Sequence, residues 1–150
     1  MTSLVPMSEE NFQIWLSLIW PAYKSELIQS GVSEDEAEKD IKRNIKETMP
    51  DGRPTPNQIF FDVMEDQIHV GSVWLSTDNG EWFIYDIEIK TEFRGQGHGR
   101  KTMRAIEEFV RSKGGAKIGL SVFGFNTVAR KLYLSEDYEI TRLFMEKKLS

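Results

Sequence analysis

The segment FIYDIEIKTEFRGQGHGRKTM (residues 83–103) constrains the fold more than any other stretch of the chain. An alternating apolar strand runs through Arg94-Gly95-Gln96-Gly97-His98-Gly99-Arg100 straight into an amphipathic helix, with Met103, Ile106, Phe109 and Val110 on one face. Glycines permit positive φ and let a ligand approach the backbone closely. A helix start adds unpaired N–H groups and a partial positive charge, so the pattern predicts a pyrophosphate cradle, with Arg94, Arg100 and Lys101 adding charge. His98 reads as an exposed spacer in this loop rather than a base. The loop lacks the Lys-Ser/Thr ending of a triphosphate P-loop. KGGAKIGLS (residues 113–121) supplies no acid where a dinucleotide fold would bind ribose. On the glycines alone, a turn that merely joins strand to helix remains an alternative.

The rest of the chain supplies the elements around this unit. Leu4 to Met7 suits a short strand. Ser8 can cap a helix carrying Phe12, Trp15, Leu16 and Ile19 at helical spacing, and Pro21 must kink or end it, with Tyr23, Leu27 and Ile28 continuing towards Gly31. Ser33 and Glu36 form a capping box ahead of the stripe Ala37, Ile41, Ile45. Ile59–Met64 and Ile68–Leu75 read as a hairpin turning near Glu65-Asp66, and Trp82–Ile89 as a third strong strand. After the glycine loop and its helix, Gly114-Gly115 is a stop signal. A strand over Lys117–Phe123, a helix over Asn126–Ser135 and a last strand over Tyr138–Met145 complete a single α/β domain spanning residues 1–150.

Charge narrows the ligand class. The 150 residues carry a net charge of −5, which disfavours a long polyanion, yet Arg94–Lys117 is rich in base. A small anionic ligand suits that contrast better than nucleic acid. No cysteine is present, which excludes disulfides, thiolate metal sites and a cysteine nucleophile. His69 and His98 show no ligand spacing, so no metal is expected. No run is long enough to span a membrane and the first residues resemble no signal peptide, so the expected compartment is the cytoplasm.

These residues resemble the GNAT superfamily of N-acetyltransferases. The family's acetyl-CoA pattern, Arg/Gln-x-x-Gly-x-Gly/Ala, stands here as Arg94, Gly97 and Gly99. A second pattern, Asn then Ala-x-x-Leu-Tyr then an aromatic, stands as Asn126, Ala129, Leu132, Tyr133 and Tyr138. The resemblance is strongest over Trp82–Met145. It implies a mixed, mostly antiparallel sheet of six to seven strands flanked by helices, with two central parallel strands, Phe83–Ile89 and Lys117–Val122, splayed around the pantetheine arm of acetyl-CoA. It further implies that the backbones of Ile87 and Ile89 pair with that arm, and that the N–H groups of Gln96, Gly97, His98, Gly99 and Arg100 hold the pyrophosphate. Asn126 would bond the pantetheine chain and Tyr133 would sit near the sulfur. Two departures stand out: Glu136-Asp137-Tyr138 replaces the usual Leu-Gly-Phe, and Ser121 replaces a glutamate that some members use as base.

The implied chemistry is direct attack of a neutral amine on the thioester, in a ternary complex with a small-molecule or peptide amine. Tyr133 is the candidate acid, since a phenol stays protonated at neutral pH and can return a proton to the thiolate. On the strand FIYDIEI, Tyr85, Ile87 and Ile89 are expected on one face, with Asp86 and Glu88 on the other as candidate bases or amine anchors. Trp15, Trp20 and Tyr23 are candidates to line the acceptor side. The acids Glu9, Glu10, Glu26, Glu34, Asp35 and Glu36 point to a cationic acceptor. A non-catalytic acyl-CoA-binding or sensor domain would keep the phosphate loop but need no acid at Tyr133. The chain is expected as a monomer or homodimer.

Overall fold

A computed structural model describes all 150 residues. In chain order the elements are β1 (Thr2–Pro6), α1 (Glu9–Gln29), α2 (Glu34–Thr48), β2 (Gln58–Glu65), β3 (Ile68–Asp78), β4 (Glu81–Ile89), α3 (His98–Ser112), β5 (Ile118–Leu120) and α4 (Thr127–Ser135). Two of the N-caps, Ser8 and Ser33, are those the sequence specifies, and Asn126 adds a third. Ser8 Oγ accepts from Asn11 N, Ser33 Oγ from Glu36 N and Asn126 Oδ1 from Ala129 N. Pro21 does not end α1, which continues to Gln29.

The strands form one sheet in the order β1-β2-β3-β4-β5, antiparallel except for the parallel pair β4–β5. Strand alternation sends Phe61, Val63, Val73, Leu75 and Ile84 to one face, where Met103, Ile106 and Val110 of α3 close the main core. On the opposite face Phe12 and Trp15 of α1 pack with Met49 and Trp74 in a second, aromatic core. The site lies where these layers meet the β4–β5 edge.

Three expectations need correction. The sheet has five strands rather than six to seven, because residues 138–150 join no ladder. The parallel pair lies at the sheet edge rather than its centre, and β5 covers Ile118–Leu120 rather than Lys117–Phe123. The strand face also breaks its alternation. Trp74 pairs with Asp86 and Leu75 with Ile84, so Tyr85 is an extra, bulged residue. Tyr85 therefore turns away from the Ile87 side and stacks on Trp74, ring centroids 4.5 Å apart. This bulge begins where β5 pairing ends, at Ile84↔Leu120. A bulged strand bends, so Ser121–Phe123 find no straight neighbour to extend the ladder.

Candidate active site

Beyond Leu120 a cleft of about 410 Å³ opens between β4 and the segment after β5. Its walls come from both faces of the sheet. Tyr133 packs against the α3-side core, whereas Trp20 and Tyr23 belong to α1 on the other side. Asp86 and Glu88 line it from β4, Val122 and Phe123 from the β5 side, and Asn126 from the cap of α4. Tyr23 meets Phe123 across the mouth, ring centroids 6.2 Å apart.

The glycine loop adjoins the cleft through Arg94, whose guanidinium reaches Glu88. Gly95 (φ 74°) and Gly97 (φ 85°) adopt left-handed backbone, and a Cβ at either would meet nothing within 4 Å. The loop is thus open above its backbone. Gly97 caps α3 without any side-chain bond, and the first helical donor is Lys101 N to Gly97 O. The N–H groups of residues 96–100 have no acceptor within the fold. Such a concentration of free donors at a helix start can hold an anionic group.

The side chains around the loop are committed elsewhere. Arg94 folds back on β4, donating from Nε to Ile89 O at 2.8 Å and from its guanidinium to Glu88. Arg100 and Arg104 both grip Glu136, at 2.6 and 2.8 Å. Arg104 first, and Arg100 with it, hold that carboxyl below its usual range. Gly99 has a packing reason to be glycine, since a Cβ there would lie 3.2 Å from Leu132 of α4. His98 is not the exposed spacer expected. As the first residue of α3 its side chain turns inward, buried, beside Phe93 and 3.9 Å from Glu65. Only its backbone faces the loop's open side.

Deeper in the cleft, burial pushes the Tyr133 hydroxyl above its usual pKa, and the charge of Asp86 adds to the shift. Asp86 itself is raised to about 7, chiefly because protein atoms crowd its carboxyl; Glu88 and Glu26 push the same way. The Trp15 indole N–H at 3.4 Å opposes the rise, more strongly than either glutamate adds to it. Asn126 spends Oδ1 on its own helix and leaves its amide nitrogen without a partner in the fold. Glu136-Asp137 replaces the expected glycine turn without penalty to the chain path: Asp137 takes the left-handed conformation at φ 66°.

A second cleft of about 350 Å³ lies over the sheet beneath α1. It shares Ile19, Glu26, Asp86 and Glu88 with the first, so the two meet at Asp86. Its floor is a row of paired residues, Asp62–Ser72–Glu88, crossing three strands over roughly 10 Å at ordinary strand spacing. Asp62 is buried. Its Oδ2 accepts from Asn11 Nδ2 at 3.0 Å. Its Oδ1 lies 3.2 Å from His69 Nε2, but that nitrogen is directed to Gly71 O at 2.8 Å, and Oδ1 has no hydrogen-bond donor. A second bulge, between Val63 and Met64, places His69 beside Asp62 while Val70 stays in the core. Gly71 is obligatory under this floor, because a Cβ would lie 2.2 Å from Glu88 O.

Among the six N-terminal acids expected to form an acidic mouth, only Glu26 lines either cleft. Lys24 bridges Glu34 and Glu38 on the helix surface instead. Asp62 and His69 were not singled out by their sequence. The available signal was an acid at the centre of the apolar strand IFFDVM, on the face opposite Phe61 and Val63.

Comparison with known proteins matches this geometry to one family. The model of the acetyltransferase (GNAT) family matches residues 12–135. The chain is 30% identical to the uncharacterized N-acetyltransferase YycN of Bacillus subtilis, across 97% of both chains. It is 29% identical to YdgE, another uncharacterized N-acetyltransferase of the same organism, across 98% of both. The crystal structure of YycN superposes with a TM-score of 0.91, covering 100% of this chain and 99% of that one. The aminoglycoside N-acetyltransferase AAC(6')-Iy in complex with CoA shares the fold at a TM-score of 0.60 and 18% identity, covering 100% of this chain and 96% of that one.

Proposed function

The chain belongs to the GNAT family of acetyltransferases, and on that premise we propose that it transfers the acetyl group of acetyl-CoA directly to a neutral amino group, held over Asp86, of an acceptor that carries positive charge elsewhere. The observation that carries this reading is the meeting of two clefts at Asp86. One cleft runs past Tyr133 and Asn126 on the glycine-loop side; the other is floored by carboxylates.

The free N–H groups of residues 96–100 fit the pyrophosphate of acetyl-CoA, and the open space above Gly95 and Gly97 leaves room for it. Asn126 Nδ2 and the backbones of Ile87 and Ile89 would bind the pantetheine arm; the Ile89 carbonyl is already taken by Arg94, so its N–H is the available group. The cosubstrate supplies an activated acyl group. The chain's own residues bind, orient and move protons. Asp86, poised near neutrality, takes the proton that the amine releases as its nitrogen bonds to the carbonyl carbon. Tyr133, kept protonated by burial, delivers a proton to the departing thiolate as the carbon–sulfur bond breaks. Glu26 attracts the acceptor's charge, and with Glu88, which Arg94 also engages, adds to the rise that burial imposes on Asp86. Lys90 and His69 are the only basic side chains along the acceptor cleft, against four carboxylates.

An acceptor screen across polyamines, aminoglycosides, amino acids and peptides, scored by free thiol release, tests the proposal. Thiol release with multiply charged amines is expected. Measurable CoA binding without release from any amine would instead identify a non-catalytic CoA-binding domain.

A further inference from the structure

The far end of the acceptor cleft calls for a hydrogen-bond donor that the chain does not supply. Asp62 is only 6% exposed. Asn11 Nδ2 satisfies its Oδ2 at 3.0 Å, while Oδ1 is left without a donor. His69, 3.2 Å away, does not provide one. Its Nε2 lies 2.8 Å from Gly71 O, a carbonyl that can only accept, so the Nε2 proton is spent there. The neutral ring then offers Nδ1 as a further acceptor. Both residues line the cleft. A buried carboxylate oxygen with no partner costs free energy that a bound donor would restore.

The helix above this floor presents no polar group to match it between Asn11 and Glu26. Ile14, Leu18 and Ala22 follow one another at four-residue spacing, on one face of α1, and all three line the cleft. Ile14 is 55% exposed and Leu18 63%. An apolar stripe over a carboxylate floor suits an alkyl chain with charged ends.

α1 also gauges the length of that chain. Asn11 bonds Asp62, and Trp15, one turn later, bonds Asp86. Four residues advance a helix by about 6 Å. Across the sheet, Asp62 and Asp86 stand two strands and two residues apart, which puts their α-carbons about 12 Å from each other. Side chains that lean towards neighbouring turns of α1 therefore bring their carboxyl groups to roughly 6–12 Å.

We propose that Asp62 Oδ1, with His69 at its side, holds a second, protonated amino group of the acceptor, so that the cleft selects linear α,ω-diamines over monoamines. The inference rests on the transfer reaction proposed above and says where the acceptor's charge sits. The neutral nitrogen attacks from above Asp86, the ammonium is anchored at Asp62, and the methylenes between them lie along Ile14 and Leu18.

The test is kcat/KM at saturating acetyl-CoA, read by thiol release, for α,ω-diamines of two to eight carbons, each beside the monoalkylamine of equal length. At intermediate lengths the diamine should be the better acceptor by at least about tenfold, the usual worth of a hydrogen bond to a charged group. The two-carbon diamine, its nitrogens only three bonds of about 1.5 Å apart, should gain no such advantage. This series needs no variant. In Asp62→Asn, shown folded by circular dichroism, the diamine-to-monoamine ratio should fall towards one, chiefly through KM. Wild type that favours diamines no more than monoamines, or a preference that survives in folded Asp62→Asn, overturns the proposal and leaves acetyl transfer standing. No thiol release with any amine overturns the transfer reaction, and the proposal with it.

Discussion

The two ends of the site are built by opposite means. The glycine loop is a local object: seven consecutive residues set its backbone, and its function rests on N–H groups that every residue type but proline possesses. The acid floor is a collective object. Glu26 comes from a helix, Asp62 from β2, and Asp86 and Glu88 from β4, placed by two bulges and a glycine at the closest strand contact. A local device tolerates changes of side chain but not of backbone. A collective device tolerates neither the loss of a carboxylate nor a shift in register.

The largest expected effect falls on the floor. Asp86→Asn keeps shape and removes the base, so kcat should drop about 10³-fold while CoA affinity, measured by calorimetry, stays unchanged. Its pH dependence has a definite sign. In wild type the basic form appears only as pH rises through about 7, so kcat/KM for an acceptor that does not titrate should climb and level off there. In Asp86→Asn that step should vanish. Stability should move the other way. The unfolded carboxyl ionises near pH 4 and the folded one near 7, so wild type loses stability as pH rises through this window. Above it, Asp86→Asn should be the more stable protein, by up to about 4 kcal/mol in urea denaturation at pH 8. A rate and pH profile unchanged in Asp86→Asn would take catalysis away from the floor.

Tyr133→Phe comes next. It retains the ring and deletes the proton donor, and kcat should fall about 10²-fold with acetyl-CoA binding preserved. An unaltered rate, with chemistry shown to limit turnover, would leave Tyr133 a packing residue of the α3-side core.

At the loop, Gly97→Asp adds a Cβ at φ 85° and a negative charge beside the free N–H groups. CoA affinity should weaken by about tenfold or more, a loss of at least about 1.4 kcal/mol of binding. Calorimetry on the folded variant measures it, and undiminished affinity would remove the loop from the cofactor site. The smallest effect separates the two regions most sharply. Glu26→Gln should raise KM several-fold for a dication and leave it nearly unchanged for a neutral-bodied monoamine. High salt should reproduce the difference in wild type, since screening over a Debye length of about 10 Å at 0.1 M weakens such steering. Equal responses of both amines would exclude electrostatic selection of the acceptor.

The same contrast explains what could be read from the sequence. The loop, the N-caps Ser8 and Ser33 and the hairpin near Asp66 follow from short-range rules, and the structure places them within a residue or two of expectation. The family resemblance reached the cleft residues Asn126 and Tyr133 for the same reason, as contiguous motifs. Asp62 and His69 escaped because nothing local links positions 62, 69 and 86; only the ladder does. Tyr85 was assigned to the wrong face because a bulge shifts strict alternation, and alternation carries no mark of an extra residue. The strand expected over Tyr138–Met145 has strand composition but no ladder within its own chain, and composition alone names no partner.

The grip of Arg100 and Arg104 on Glu136 has one further consequence. With Gly99 seated against Leu132, it fastens the start of α3 to the helix that carries Tyr133. If the turn binds an anion and the phenol acts as acid, as proposed above, the two would be held at a fixed separation like the jaws of a caliper. A molecule bridging them would then be measured end to end. A cosubstrate with a shortened arm would be seated at one jaw and miss the other, so length itself becomes a criterion of selection.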